Sequence, residues 1–439
     1  MKKLLVIIVM LLAATALFAG GTENKSNLSI GYLMNMSRNT ETERPDAVFY
    51  NTAGTAFMKD GFYADIGNQF VFKNYEHKVT DVNNTGSPTG YGTYNAENTI
   101  ILYPNAELVY KKDNFAIFGA FGVFAGGGNL EYKDGMYLSQ GMLNPYRSNQ
   151  APWLNATEDD IANSVDVYSI FYGEILGGSY AFNEKISVSA AIRLIQARQS
   201  LKATLDKDPT GGWTAGVPGM LPAIKSKTLL DAEASANGVG GIFGVHYKPI
   251  DDLDIAVSYQ TITKLEYEYD KAKGELAELA GFIKGRKFDR DLPAVLGLGV
   301  GYRIIEELYA SVSFNYYFNK QAKNTDPAAP SEHDNSWEIA AGANYDFSDK
   351  ISFSLGGLYS KQGINKTENS PVSPALDSFT IGAGTSLKFV KNLTIDIAAF
   401  KPFYFGAEYE TKVGTTNIEM DLAKKSMLLL GIGATYKFF

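Results

Sequence analysis

The sequence predicts an all-β fold: a transmembrane antiparallel β-barrel of about 14 strands with an N-terminal hatch (plug) inside the lumen. Three observations carry this. The chain opens with Met1-Lys2-Lys3 and an apolar run from Leu4 to Phe18, the pattern of an export signal. It closes with an alternating strand, Leu428 to Phe439, that stops on an aromatic residue. Between the two, alternating strands are joined by very short turns on one side and longer polar loops on the other, which is the asymmetry of outer-membrane barrels.

Lys2 and Lys3 form a positive leader and Ala19-Gly20-Gly21 offers small residues for cleavage, so residues 1–20 are read as a signal peptide. The apolar run is shorter than the ~20 residues a spanning helix needs. The chain has no cysteine. That excludes disulfides, cysteine-ligated zinc, thiol catalysis and a lipidated cysteine. A length of 439 residues would suggest several soluble domains, yet no linker divides the chain after its first sixty residues. Aromatic content is 13%, with 27 Tyr and 26 Phe against 3 Trp, alongside 43 Gly. This mixture suits strands with aromatic girdles. A mean hydropathy of -0.13 is too polar for a helical membrane protein, but fits a barrel in which alternate residues meet lipid. The net charge of -8 argues against nucleic acid as a partner.

Residues 21–60 precede the alternation and differ from the rest of the chain. They are polar overall, but Ala47 to Phe57 is too apolar for a solvated tail. A wide barrel's lumen would bury it, which makes residues 21–60 the hatch and residues 61–439 the barrel. From Phe62 onward the short turns are Lys111-Lys112-Asp113-Asn114, Asn183-Glu184-Lys185, Pro249-Ile250-Asp251-Asp252, Ile305-Glu306-Glu307, Ser348-Asp349-Lys350 and Lys391-Asn392. The longer loops lie near 80–92, 133–163, 206–234, 266–291, 320–335, 365–376 and 406–421. In one strand Leu308, Ala310, Val312, Phe314, Tyr316 and Phe318 share a face, opposite Ser311, Ser313, Asn315 and Asn319. Strand side chains alternate between faces, so these are the lipid and lumen sides. At the C-terminus the apolar phase is Ile432, Ala434, Tyr436, Phe438, leaving Phe439 one step out of register.

One strand departs from the pattern. Phe115 to Gly128 is apolar on both faces and rich in glycine, including Gly119, Gly122, Gly126 and Gly127. Glycine inside a strand marks a bulge, kink or close backbone approach. Two readings stand: packing against an interior plug, or a kinked strand that opens the wall. On this strand Phe118 and Phe124 are candidate substrate contacts. In Ile186 to Leu194, the even positions are apolar and should meet lipid, so Arg193 faces the lumen within the spanning layer. A charge there needs a partner. The candidates are an internal carboxylate, Glu174 or Glu107, or the carboxylate of a substrate. The loops hold further apolar candidates. Trp213, Met220 and Leu221 sit in one. Gly274 to Ile283 of another reads as a short amphipathic helix with Leu276, Leu279, Ala280 and Ile283 on one stripe. Exposed apolar loop residues imply a binding groove or loop-on-loop packing.

Catalytic chemistry is not visible. The three histidines, His77, His246 and His333, lie far apart, with no serine or carboxylate at motif spacing. There is no P-loop, dinucleotide fingerprint or metal cluster. Asp254, Glu338 and Asp396 read as polar lumen lining. No enzyme activity, cofactor or metal is expected.

Several segments resemble one family. Asp46-Ala47-Val48-Phe49-Tyr50-Asn51-Thr52-Ala53-Gly54 is similar to the Asp-Ala-x-x-x-Asn-Pro-Ala-Gly segment of FadL/TodX-type transporters of long-chain fatty acids and aromatic hydrocarbons, with Thr52 in place of Pro. Tyr103 to Leu108 with the glycine-rich strand, Gly238 to Gln260, and Leu292 to Gly299 come in the family's order. The resemblance implies a plugged barrel of 14 strands whose hatch motif is Asp46, Ala47, Asn51, Thr52, Ala53 and Gly54. It implies capture of a hydrophobic molecule by extracellular loops, passive diffusion, and lateral exit at the kinked third strand, where Gly119 and Gly122 should face Asn51 to Gly54. It places the chain in the bacterial outer membrane among its lipids, as a monomer, with Phe439 read by the barrel-assembly machinery. A general porin or a surface-adhesin barrel are the alternatives.

Overall fold

In the computed structural model, the described residues are 26–80, 92–136, 139, 143, 162–209, 223–325, 334–363, 375–405, 408–413 and 416–439. The residues of the expected signal peptide and the loop positions Trp213, Met220, Leu221 and His333 lie outside them.

Strand segments run in chain order as β1 (Gly61–Thr80), β2 (Gly92–Ile100), β3 (Pro104–Lys112), β4 (Phe115–Tyr132), β5 (Asn163–Ala181), β6 (Ile186–Leu205), β7 (Thr228–Ile250), β8 (Leu253–Gln260), β9 (Glu266–Lys273), β10 (Lys287–Asp289), β11 (Val295–Ile305), β12 (Leu308–Tyr317), β13 (Ser336–Ser348), β14 (Ile351–Lys361), β15 (Ser378–Val390), β16 (Leu393–Tyr404), β17 (Glu408–Val413) and β18 (Thr416–Lys437). Each pairs antiparallel with its neighbours, and β1 pairs with β18 to close the ring. Four walls consist of two segments. β2 and β3 share β1 as a partner, β8 and β9 share β7, β10 and β11 pair with β9 and β8, and β16 and β17 share β18. The closed barrel therefore has 14 walls, as expected. Closure of β1 on β18 removes the free sheet edges, the condition for crossing a membrane with strands.

Alternation sets the two faces. Ser311 and Ser313 of β12 are buried inside while Val312 between them is 47% exposed outside. Ile186, Val188 and Ile192 of β6 likewise face outward. Two of the short turns use a non-glycine residue in the left-handed region, Asp113 (φ 50°) and Asn392 (φ 61°), residue types that tolerate it.

The loop boundaries need correction. β7 has 23 residues and β18 has 22, against the ~9–11 needed to cross the hydrocarbon. Strands project into regions read as loops: β9 and β10 lie within 266–291, and β17 with the start of β18 within 406–421. In β9 and β10 the alternation is charged on the outer face, because that face meets water. Lys287 pairs with Glu266 at 2.8 Å outside, while Tyr267 stacks on Phe288 inside, centroids 5.1 Å apart. Gly274 to Ile283 is a run of turns, not a helix. Gly274 (φ 99°) and Gly281 (φ 79°) punctuate it, and Gly285 (φ 82°) follows.

Residues 26–58 thread through the lumen. Helix α1 (Ile30–Met34) is capped by Ser29, whose Oγ accepts the Tyr32 N–H at 3.0 Å. All five of its residues are buried, against β15, β16 and β18. A second short helix, α2 (Ala47–Tyr50), leads into a 3-10 turn, Thr52–Phe57.

Candidate functional site: the lumen cavity and the wall seam

The lumen segment is fastened by polar side chains at many points. Asp46 accepts from Arg38 at 2.5 Å and from Ser29 Oγ at 2.7 Å, and Arg38 also pairs with Glu41 at 2.7 Å. Arg44 pairs with Asp396 and donates to Ser386 at 3.1 Å. Asn51 accepts from the Gly54 N–H through Oδ1, and its Nδ2 donates to Glu41 O at 2.9 Å and meets His246 Nδ1 at 2.8 Å. Thr52 Oγ1 meets Ser189 Oγ at 2.7 Å, Ala53 O accepts from Ser187 at 2.8 Å, and Ser26 donates to Glu338 at 2.9 Å. Ala47 and Gly54 are buried in the same turn region.

Two expectations are corrected here. Asn51 to Gly54 faces β6 and β7, not the glycine-rich third strand. His246 does have a carboxylate beside it, Asp254 Oδ1 at 2.8 Å, because the β7–β8 hairpin folds residues eight apart onto one face. Asp254, Glu338 and Asp396 are more than lining: each lies in the network that holds the segment to the wall. The Thr52 hydroxyl ties its turn to β6 through Ser189.

Above this network lies a cavity lined by Leu28, Phe49, Tyr50, Phe124, Leu292 and Val295, with polar Ser26, Asn39, Ser258, Gln260, Asn315 and Tyr317, and with Arg193. Arg193 is 2% exposed. It donates through Nη1 to Gln260 Oε1 at 2.5 Å and through Nη2 to Thr263 Oγ1 at 2.7 Å and Thr261 O at 3.4 Å. Its Nε has no partner. No carboxylate pairs with it among the described residues, which corrects both internal candidates. Glu174 shares the outward face of β5 with Leu176, which is 54% exposed. Glu107 is bonded to Asn105 at 3.0 Å and lies opposite Asp65. A guanidinium held by neutral acceptors keeps its charge available, next to two aromatic rings, Phe49 and Phe124, packed edge to face at 5.8 Å. Such a site can take a molecule with an anionic head and an apolar body.

Phe124 also belongs to the irregular part of the wall. β3 and β4 pair from Lys112–Phe115 up to Ala106–Phe121 and then separate. On the other side, β4 and β5 shift register twice, between Val123 and Ala125 and between Ala125 and Gly128. Gly126 (φ 85°) and Gly128 (φ 69°) make the bend. Gly119 does not: it pairs regularly with Leu108 and Leu176. Gly122 is one point where the lumen segment touches the strand, since a Cβ there would lie 3.3 Å from Phe49. Gly127 presents its carbonyl to Lys73. Valine should therefore be tolerated at Gly119, where only the flexible Leu176 side chain and the Ile175 carbonyl stand near. At Gly126 a Cβ would meet Ser169 O at 2.6 Å, in a backbone region costing a residue with a Cβ about 1–2 kcal/mol. Folded yield on heat-modifiability gels should stay level for Gly119→Val and fall for Gly126→Val.

Of the remaining candidates, Phe118 is buried on the lumen face apart from the cavity lining, Leu276 is buried, Leu279 is partly buried and Ile283 is 47% exposed. Of the expected stripe, Leu276, Ala280 and in part Leu279 pack inward and Ile283 stays out, while Phe282, outside the stripe, is buried. Arg38, Arg44, Lys73, Tyr103, Gln260 and Thr263 join the site without any mark in the sequence around them. Arg38 pairs within the lumen segment with Glu41 and Asp46, whereas the partners of the others lie on elements distant in sequence, for which local spacing carries no signal.

The comparisons with known proteins agree with this geometry. The family model described as "Outer membrane protein transport protein (OMPP1/FadL/TodX)" matches residues 10–438. No curated protein sequence matches. Among solved structures, a FadL homologue of Pseudomonas aeruginosa aligns with TM-score 0.67 at 17% identity, covering 96% of this chain and 100% of that one. The toluene transporter TodX of P. putida aligns with TM-score 0.60 at 16% identity, covering 92% and 97%. The toluene transporter TbuX of Ralstonia pickettii aligns with TM-score 0.60 at 17% identity, covering 92% and 98%. At these identities the structures establish a shared fold.

Proposed function

The chain belongs to the OMPP1/FadL/TodX family of outer membrane transport proteins, and on that premise we propose that its cargo is a hydrophobic molecule with an anionic head, a long-chain fatty acid or a close relative. Capture by the extracellular loops leads to the lumen cavity. There the carboxylate meets Arg193 while the tail lies against Phe49 and Phe124. Exit is sideways, through the irregular wall between β2 and β4, into the membrane. Movement is passive diffusion down a gradient. Residues 26–58 act as the hatch that blocks a straight aqueous path, which disfavours the porin reading. The observation that carries the cargo class is Arg193: a buried guanidinium on the cavity with neutral partners and a free Nε. An aromatic hydrocarbon would need no such group.

The test is Arg193→Met, which keeps bulk and removes charge. Binding measured calorimetrically should weaken for a fatty acid by about 1.5–3 kcal/mol, the range for hydrogen bonds to charged groups. An uncharged hydrocarbon should bind as before. Equal loss for both would mean that Arg193 holds the wall together and not the cargo.

A further inference from the structure

The wall between β2 and β4 has no backbone ladder, because β2 pairs with β1 and β4 pairs with β3 only as far as Phe121. Beyond that point three carbonyls of β4, those of Val123, Gly127 and Asn129, accept from side chains. The Tyr103 hydroxyl donates to Val123 O at 3.2 Å, and Asn98 Nδ2 donates to Asn129 O at 2.6 Å. Lys73 reaches from β1: its Nζ donates to Gly127 O at 2.5 Å and to Asn129 O at 2.8 Å. The lysine is buried, so its ammonium depends on such acceptors. A ladder of backbone bonds would close the wall for good. Beside the neutral Tyr103 and Asn98 donors, one ammonium on a flexible four-carbon stem adds two bonds stronger than theirs, yet can swing away without unpairing a strand.

We propose that Lys73 is the clasp of the seam. It is a positioning residue that bridges β4 to β1 across the gap left by β2, so that lateral release requires its ammonium to leave Gly127 and Asn129. This rests on the lateral-exit reading above, and the experiment separates the two. The full chain is placed in lipid nanodiscs, and release of a pre-bound fluorescent fatty-acid analogue into the bilayer is timed. With no native cysteine, Asn98→Cys with Asn129→Cys provides the only two thiols, and a short reducible cross-linker joins them across the seam. Lys73→Met should speed release by about tenfold, as expected for losing hydrogen bonds to a charged group, with equilibrium affinity unchanged. Lys73→Arg should stay near the parent rate. Cross-linking should stop release in both the Lys73 and Lys73→Met backgrounds, and reductant should restore it. If cross-linking stops release but Lys73→Met releases at the parent rate, the clasp is overturned and lateral exit stands. If cross-linking leaves release unchanged, lateral exit fails and the clasp with it. Should Lys73→Met fold poorly on heat-modifiability gels, Lys73→Gln retains a neutral donor and should release at an intermediate rate.

Discussion

Deleting residues 26–58 should convert a sealed barrel into an open pore. The ring does not depend on that segment for closure, since β1 pairs with β18 from Tyr63–Lys437 to Thr80–Glu419. A ladder of this length keeps a barrel intact when its filling is removed. What the deletion does expose is a polar inner wall, including Ser187, Ser189, Ser313 and Asp396, all buried and bonded to the segment at present. Barrels of about 8 strands fill their interior with side chains, whereas those of about 16–18 leave an aqueous channel. A ring of 14 walls sits near the open end of that range. In planar bilayers the shortened protein should show large stepwise conductance and the parent little. A silent deletion, with the barrel still folded by heat-modifiability, would mean that the segment is not the hatch.

The barrel was legible because a period of two survives in every wall: Ser311, Val312 and Ser313 declare inside, outside and inside without reference to any neighbour. The same rule placed Arg193 in the lumen. It could not supply the partners, because Gln260 and Thr263 lie some seventy residues onward and join Arg193 only through the β6–β7–β8 register. It also read charged alternation as loop. Glu266, Tyr267, Glu268 and Tyr269 form a strand whose outer face meets water instead of lipid, and hydropathy alone makes that resemble a solvated segment. Glycine was ambiguous in a different way. Gly126 and Gly128 bend the backbone, while Gly119 merely presents a small outer surface in a regular pair, and the residue type is identical in both uses. The ties of residues 26–58 were hidden for the plainest reason. Arg38 and Arg44 are charges in a polar stretch until the fold places Asp46 and Asp396 beside them.

Removing one of those carboxylates, Asp46, should produce the second large effect. Asp46 and Arg38 are 3% and 2% exposed, and Arg38 Nε already lacks a partner. Asp46→Ala removes one of the two carboxylates that neutralise Arg38, leaving Glu41 at 2.7 Å. It also removes the acceptor for Ser29, which caps α1. Breaking a buried pair by deleting one partner costs about 3–5 kcal/mol. Nothing in the wall ladder involves Asp46, so the cost falls on the lumen segment and not on the barrel. The expected result is an unchanged heat-modifiability shift together with frequent transient openings in single-channel records. Hydrogen exchange at residues 46–58 should be faster by roughly two to four orders of magnitude, since each 1.36 kcal/mol is worth about tenfold. The double change Arg38→Met with Asp46→Leu separates charge from shape. Replacing both members of a buried pair by apolar groups is often neutral, so the double variant should return toward the quiet record of the parent. If Asp46→Ala is itself quiet and exchanges at the parent rate, the segment is held by its contacts with β6, β7 and β16 alone. The Arg38–Asp46 pair would then contribute nothing to the seal.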